Sequence, residues 1–535
     1  MVGFCRARGG MRKLLSNRSM LLGGEMLHDR RRARWLLAAF AVWCAWYLNA
    51  QVAPDRLLRG TITGKDNLTY KLVPFTVPAG VKRITVEFAH TGAEQKTVID
   101  LGLIGPRGLR GWSGGRTGTV VIAETDATPS YLPGKIVPGT WNLLMGIPNI
   151  RSNVTATYTA KIYFSRSGRA EEAPADVYPV ISKQARWYRG DLHMHTAHSD
   201  GGCKSQNGKP VPCPVFFTVQ AAAQRGLDFI AITDHNTMSQ YDAMRELQPY
   251  FDDVLLIPGR ELTTFQGHAN VFGTTDFLDF RVGSTEVPTW NTLLKKIHSA
   301  GGLVSINHPK DPTGEACLGC GWDPKPPADM HLVEAIEAIN GVVAEGPTAG
   351  IPFWQEQLNR GYRITAIAGS DNHNGLAPVP APGSVGYPTT VVWASELSIP
   401  RVLQAIRAGH VFIDATGSKD RLLEMSARLG NLKSSMGDAL WVPSGLTAEF
   451  TVHTAGAAGG RVEIIEDGTS ASLLADSRIS QDNQSFTFPF RSDGQRHWLR
   501  ANVRDRQGRL LLVGNPIYVN LPEKARRLAT HRRAR

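Results

Sequence analysis

Cysteine is scarce, with six in 535 residues. That scarcity excludes the disulfide-dense scaffold of a small secreted module. Charge of a single sign is missing from the body of the chain. The formal excess of +12 lies at the two ends, +7 in residues 1–34 and +5 in residues 522–535. A broad basic groove for nucleic acid is therefore not expected, and the tail at 523–535 reads as a solvated basic extension. A second long hydrophobic run is also lacking. The first, Trp35 to Leu48, follows Arg30, Arg31, Arg32 and Arg34 and precedes Leu48-Asn49-Ala50. It is shorter than the ~20 residues a spanning helix needs. The pattern fits a signal peptide over residues 1–50, with an uncleaved N-terminal anchor as the alternative. The expected product is exported, periplasmic or secreted, with no membrane span after cleavage.

What is present is enough apolar residue, 42% with 8% aromatic, for a folded body. Single cores stop growing near roughly 250 to 300 residues, so two or three domains are expected. Residues 55–168 carry short β-rich runs broken by turn residues, among them Thr69 to Thr76, Arg83 to Phe88, Thr97 to Ile104 and Thr155 to Phe164. They predict a β-sandwich or jelly roll with a supporting role or a carbohydrate contact. An acidic, Pro-containing linker around 171–179 follows. In residues 185–418 strand-length apolar runs (Phe229 to Thr233, Val254 to Pro258, Leu303 to Ile306, Leu332 to Ile339, Ile364 to Ala368, Thr389 to Trp393) alternate with helical periodicity. The helix candidates are Val215 to Arg225, Thr289 to Ser299, Ile351 to Arg360 and Pro400 to Ala408. The alternation predicts an α/β domain of parallel β/α units, closed as a barrel or wound as a sheet. Residues 421–522 are β-rich again and predict a C-terminal β-sandwich.

Cys203, Cys213, Cys317 and Cys320 remain after the leader. Cys203 with Cys213 and Cys317 with Cys320 are the expected disulfides in an oxidising compartment, with crossed pairings also open to these four. A four-thiolate zinc site and free buried thiols stay open.

The chemistry sits at strand ends. Asp191-Leu192-His193-Met194-His195 is followed by Ser199-Asp200-Gly201, and Phe229 to Ile232 by Thr233-Asp234-His235. Val254 to Ile257 leads to Arg260-Glu261, then Gly267-His268; Leu303 to Ile306 leads to Asn307-His308-Pro309; and Ile364 to Ala368 leads to Ser370-Asp371-Asn372-His373. In β/α barrels the C-terminal strand ends carry the active site. In an extended segment His193 and His195 project to one face, so both can reach one ion. Imidazoles mixed with carboxylates suit zinc, manganese or iron rather than calcium. The candidate metal ligands are His193, His195, Asp200, His235, Glu261, His268, His308, Asp371 and His373. His198 is a rival to Asp200, which is preferred. His298 and His331 read as structural. Asp191, Asp234 and Asn307 adjoin ligands and are expected to hydrogen-bond their imidazoles. Arg260 and Lys310 are the cationic candidates for an anionic substrate, with a surface ion pair as the plain alternative. Glu261 and Asp371 complete the catalytic candidates. No G-x-S-x-G elbow accompanies these histidines, which argues against a serine triad.

These motifs, in this order over about Gly190 to Gly417, resemble the polymerase and histidinol phosphatase (PHP) family. The flanking sandwiches and Asn515-Pro516-Ile517-Tyr518 look like its carbaryl-hydrolase-like (CehA/McbA) branch. The resemblance implies a distorted (β/α)7 barrel flanked by the two β-sandwich domains, holding two or three divalent ions. His193, His195, Glu261 and Asp371 would hold the first ion. Glu261, His268 and His308 would hold the second, and Asp200, His235 and His373 the third. It further implies a hydrolase acting on a small-molecule ester, with a phosphoesterase preferred. The branch implies a carbamate or carboxyl ester as the alternative, and a non-catalytic exported metal- or glycan-binding protein is the reading outside enzymes.

Overall fold

Strand character here follows from two patterns of burial. The computed structural model describes residues 53–521 apart from 115–117, 124–126, 129, 166–179, 275–277, 316, 380 and 382. The expected leader, linker and basic tail lie outside the described residues. In the flanking β regions, strands such as Arg83–His90 and Thr447–Ala455 alternate buried with open positions, the mark of a sheet with one covered face. In the middle, Phe229–Ile232 and Leu303–Ile306 are buried at every position, so both of their faces are covered.

Two four-stranded antiparallel sheets form the N-terminal sandwich. One orders Arg56–Thr63, Thr155–Ser165, Arg83–His90 and Thr119–Ala123; the other orders Thr69–Val77, Gly139–Asn149, Val98–Gly105 and Gly108–Trp112. Ile62, Phe75, Ile84, Leu101, Leu143 and Trp141 meet in the core between them. At the C-terminal end, Leu432–Ser435, Leu422–Leu429, Thr447–Ala455 and Asn483–Arg491 make a further antiparallel sheet.

The largest sheet joins the middle of the chain to the C-terminal region. Arg186–Asp191, Phe229–Ile232 and Leu255–Thr264 run parallel, as do Leu303–Ile306, Ala335–Asn340 and Thr365–Gly369. The strand Gly267–Phe272 joins these two groups and is antiparallel to both neighbours. The expectation of uniformly parallel units is corrected here. Only Phe265 and Gln266 separate Gly267–Phe272 from the strand before it, and so short a turn can return the chain only antiparallel. Beyond the ends of the outer members of this run, Met194 and Asn372 form a parallel bridge, so the run curls until its first and last strands meet. Helices Val215–Arg225, Gln240–Leu247, Trp290–Ser299, Gly350–Asn359 and Ile399–Ala408 occur among these strands. The second was not expected from its polar composition.

The other edge of Arg186–Asp191 pairs with Thr389–Ala394, then Val411–Asp414, Leu510–Gly514, His497–Arg504 and Arg461–Glu466. One continuous sheet therefore runs through the expected boundary near residue 420. The described residues from Asp55 onward belong to one compact unit. Among the described residues no helix is long and apolar enough to cross a membrane.

Candidate metal centre

Seven of the nine candidate ligands follow strand ends, whereas Glu261 and His268 lie within Leu255–Thr264 and Gly267–Phe272, the first strand running past the end expected at Ile257; all nine come together. His193 and His195 follow Arg186–Asp191, and their Nε2 atoms lie 3.2 Å apart. Asp371 Oδ1 is 3.3 Å from the first and 3.1 Å from the second. Glu261 stands at the centre. Its Oε2 lies 3.6 Å from His193 Nε2, 3.6 Å from His195 Nε2 and 2.9 Å from His235 Nδ1. Its Oε1 faces the other way, 3.2 Å from His268 Nδ1 and 3.4 Å from His308 Nε2. Asp200 closes the far side, 3.5 Å from His235 Nε2 and 3.4 Å from His373 Nε2.

Several of these donor atoms fall into groups compact enough to hold a metal ion: His195, Asp200, His235 and His373; His193, His195 and Glu261; and Glu261, His268 and His308. The donor chemistry fits divalent ions. Imidazole nitrogens facing one another at 3.2 Å repel unless a proton or a cation lies between them, and the carboxylates supply balancing charge. His308 Nδ1 is buried without a hydrogen-bond partner.

Neighbouring groups set which nitrogen of each ring faces inward. His193 Nδ1 donates to Glu337 Oε1 at 3.0 Å, which leaves Nε2 as the acceptor at the centre. His373 Nδ1 donates to the Asp371 carbonyl at 2.8 Å, and His268 Nε2 to the Leu318 carbonyl at 3.3 Å. Such partners orient a ring and raise its basicity as a ligand. Gly369 makes the approach possible, because a Cβ there would lie 2.3 Å from His193 Cβ and 2.5 Å from Glu337 Oε1. Two of the clustered residues, His308 at φ 22° and Asp371 at φ 51°, take the left-handed conformation that side chains other than glycine rarely adopt.

Charge at the centre is strongly coupled. Burial works against ionisation of Glu261, but His193, His268 and His235 hold its carboxyl well below the usual range. Burial likewise opposes Asp371, and His193 with His195 overrides it. His195 is pushed down to about 4 by burial and by the neighbouring His373 and His235. From the N-terminal sandwich, burial pushes the Asp100 carboxyl up to about 7, with His235 opposing and Asp200 adding to the rise.

Other expected roles change. Asp191 accepts from the backbone N–H groups of His193, Ser370 and Gly386, and Asp234 accepts from Thr196 and Ser199, so both brace loops instead of contacting imidazoles. Asn307 donates to Glu261 Oε1 at 2.9 Å and so supports the carboxylate. His198 turns to Ser239 Oγ at 2.7 Å, leaving the cluster to Asp200. His298 bonds the Leu332 carbonyl, and His331 packs on Tyr362, both away from the cluster. Arg260 is buried and donates to the Thr274 carbonyl at 2.9 Å, because strand alternation turns it from the face that Glu261 uses. Lys310 is exposed, with Nζ 5.8 Å from the centroid of the Phe353 ring. Neither cation is brought among the ligands.

Glu337 was missed by sequence reasoning. It is buried in Ala335–Asn340, and its Oε2 also accepts from His308 N at 3.1 Å. The signal was a carboxylate inside the apolar run Leu332 to Ile339, which also holds Glu334, with no histidine in the run to single it out.

Cys317 and Cys320 are bonded to each other, whereas Cys203 and Cys213 are buried free thiols. The expected second disulfide is not formed here, and no described cysteine joins a metal-holding group. A cavity of about 360 Å³ lined by Trp187, Trp393 and Glu424 shares no residue with the histidine cluster.

No family profile matches the chain. A protein of Methanocaldococcus jannaschii named as the uncharacterized protein MJ1587 is 29% identical over 184 residues, spanning 31% of this chain and 99% of that relative.

Proposed function

We propose that this chain is a metal-dependent hydrolase, a phosphoesterase, built on a distorted (β/α)7 barrel of the PHP type with two or three divalent ions. The observation that carries the reading is Glu261, whose two oxygens face different sets of imidazoles, as a carboxylate shared by two ions must. His193, His195 and Asp371 would join it on one side, and His268 and His308 on the other. His195, Asp200, His235 and His373 would form the outer group. Bound ions would supply an acidified water and the positive charge needed to stabilise a phosphoryl group under attack.

The chain's own contribution is orientation. Glu337, the Asp371 carbonyl and the Leu318 carbonyl hold rings in one tautomer, and Asn307 steadies Glu261. Burial of His193, His195 and Glu261 keeps competing water from these side chains. Arg260 and Lys310 are given no part in the reaction. Export through the N-terminal segment belongs to the same proposal.

The test is metal analysis of the purified protein, followed by turnover of bis(p-nitrophenyl) phosphate, p-nitrophenyl phosphate and a naphthyl methylcarbamate, with and without chelator. Bound divalent metal and chelator-sensitive turnover of a phosphate ester are expected. Turnover that survives complete metal removal would overturn the reading, and cleavage of the carbamate alone would replace its substrate class.

A further inference from the structure

The N-terminal sandwich presents one sheet face to the metal-bearing region. In Val98–Gly105, Ile99, Leu101 and Leu103 point into the sandwich core, so Asp100, Gly102 and Ile104 occupy the opposite face. On that face Asp100 pairs across to Gly146, and Gly146 to Tyr70. Their neighbours Trp112 and Leu144 belong to a core cluster shared with Leu262, Ala269 and Val304, and Tyr70 and Ile104 pack against it. Tyr70 stacks on Phe265 at 4.9 Å, and Trp112 meets Phe280 edge-on at 4.9 Å.

A loop of the same sandwich is tied to the rim of the histidine cluster. Ser130 N donates to Ser239 Oγ at 2.8 Å, Ser130 Oγ donates to the His198 carbonyl, and Thr237 Oγ1 donates to the Ser130 carbonyl at 3.3 Å. His198 and Thr237 are two residues from Asp200 and His235, respectively. The following residue, Tyr131, bonds the Leu101 carbonyl at 2.9 Å, which places the strand carrying Asp100 directly behind this clasp.

Asp100 is half-buried on this face and interacts electrostatically with His235 and Asp200. Among the described residues it has neither a hydrogen bond nor an ion pair. Gly146 opposite it cannot carry a side chain, since a Cβ there would lie 2.5 Å from Trp112 Cη2. Asp100 also lies outside every compact group of metal-holding atoms. It is a carboxylate that serves neither the sandwich nor the ligand set.

We propose that the N-terminal sandwich is a wall of the metal site and that Asp100 on it is a charge filter, which makes the site select monoanionic phosphodiesters over dianionic phosphomonoesters. This rests on the phosphoesterase reading. Above about pH 7, the value to which burial raises its carboxyl, Asp100 sets a negative charge beside the outer group, and this disfavours the second charge of a monoester, which is ionised above its second pKa near ~6. A diester, with a single charge, meets less repulsion.

The experiment uses the full chain loaded with zinc or manganese, at pH 8. Asp100→Asn should leave metal stoichiometry unchanged and tighten inorganic phosphate, measured calorimetrically, by about tenfold, the order expected for one like charge several ångströms away. The same variant should lower the ratio of kcat/KM for bis(p-nitrophenyl) phosphate over p-nitrophenyl phosphate by about tenfold, mainly through a smaller KM for the monoester. Asp100→Glu should retain the wild-type ratio, and Asp100→Ser should repeat the loss of charge should the asparagine variant fold poorly. Unchanged phosphate affinity and ester ratio in the charge-free variants would overturn the filter, as would loss of metal, which would make Asp100 a support of the ligands. Wild-type protein that binds metal and phosphate but turns over neither ester would overturn the phosphoesterase reading alone, the filter then being read from phosphate binding. Wild-type protein without metal would overturn both.

Discussion

At the scale of single residues, the site depends on which oxygens and nitrogens remain available at its centre. Glu261→Gln replaces a carboxylate with an amide that offers one weak ligand oxygen, so both neighbouring groups lose their shared support. Metal content should fall and turnover should drop by at least about a hundredfold, since even supporting contacts are worth about tenfold to a hundredfold. His298→Asn is the control, because that ring bonds the Leu332 carbonyl outside the cluster. Full metal content and near-normal turnover in Glu261→Gln would remove the polynuclear mechanism. Glu337→Gln tests the supporting carboxylate. Losing its charge weakens the hold on His193 Nδ1, so metal affinity should fall by about tenfold to a hundredfold while the fold persists. Unchanged affinity by competitive chelator titration would show that packing alone orients His193. Most ligands were legible as motifs because they follow strand ends, although Glu261 and His268 lie within strands. Glu337 was not, since its partner His193 is distant in sequence and joined to it only by the curl of the sheet.

At the scale of elements, alternating burial and turn residues made most strands and the longer helices readable, while the pairing direction of Gly267–Phe272 escaped. A run of six residues with His268 inside it reads as a loop motif until its hydrogen-bonded neighbours are known. The strand His497–Arg504 offers a test of electrostatics away from the metal site. His497 Nδ1 lies 2.6 Å from Asp467 and its Nε2 3.0 Å from Asp493. Burial would lower the affinity of this ring for a proton, but the two carboxylates raise it above its ordinary value. A folded-state pKa above the unfolded one means that the stabilisation is complete below pH ~6.5 and is lost as pH rises through the folded value. His497→Gln should therefore destabilise more at pH 6 than at pH 9, by urea unfolding. A destabilisation equal at both values would show that the imidazole acts as a neutral spacer.

At the scale of the whole molecule, the C-terminal region is part of the central sheet. Asn515 shows how the join is made. Its Oδ1 accepts from Ala366 N at 2.8 Å, and its Nδ2 donates to the carbonyls of Ala366 and Val411 at 3.0 and 2.9 Å. The side chain thus serves backbone groups of Thr365–Gly369 that lead directly to Ser370 and Asp371. Asn515→Ala would leave those buried groups unpaired and should lower stability by roughly 2 to 4 kcal/mol, with denaturant unfolding as the measurement. Because the sheet is shared, tryptophan fluorescence and far-UV circular dichroism should report one coincident transition for the wild type. A separate early transition of the C-terminal strands would contradict this continuity.

The order of histidine and carboxylate motifs along the chain, and the shift from alternating to fully apolar strands, were determined by the sequence alone, because spacing and periodicity are local properties. Tertiary structure decided which of those motifs converge, that Arg260 turns away while Asp200 turns in, and that Glu337 stands behind His193. It also decided that Asp100, on a strand far from every metal motif in sequence, interacts electrostatically with His235 and Asp200. Each outcome depends on how sheets curl and on which face of one packs against another. Those contacts join residues a hundred or more positions apart, and no local pattern encodes them.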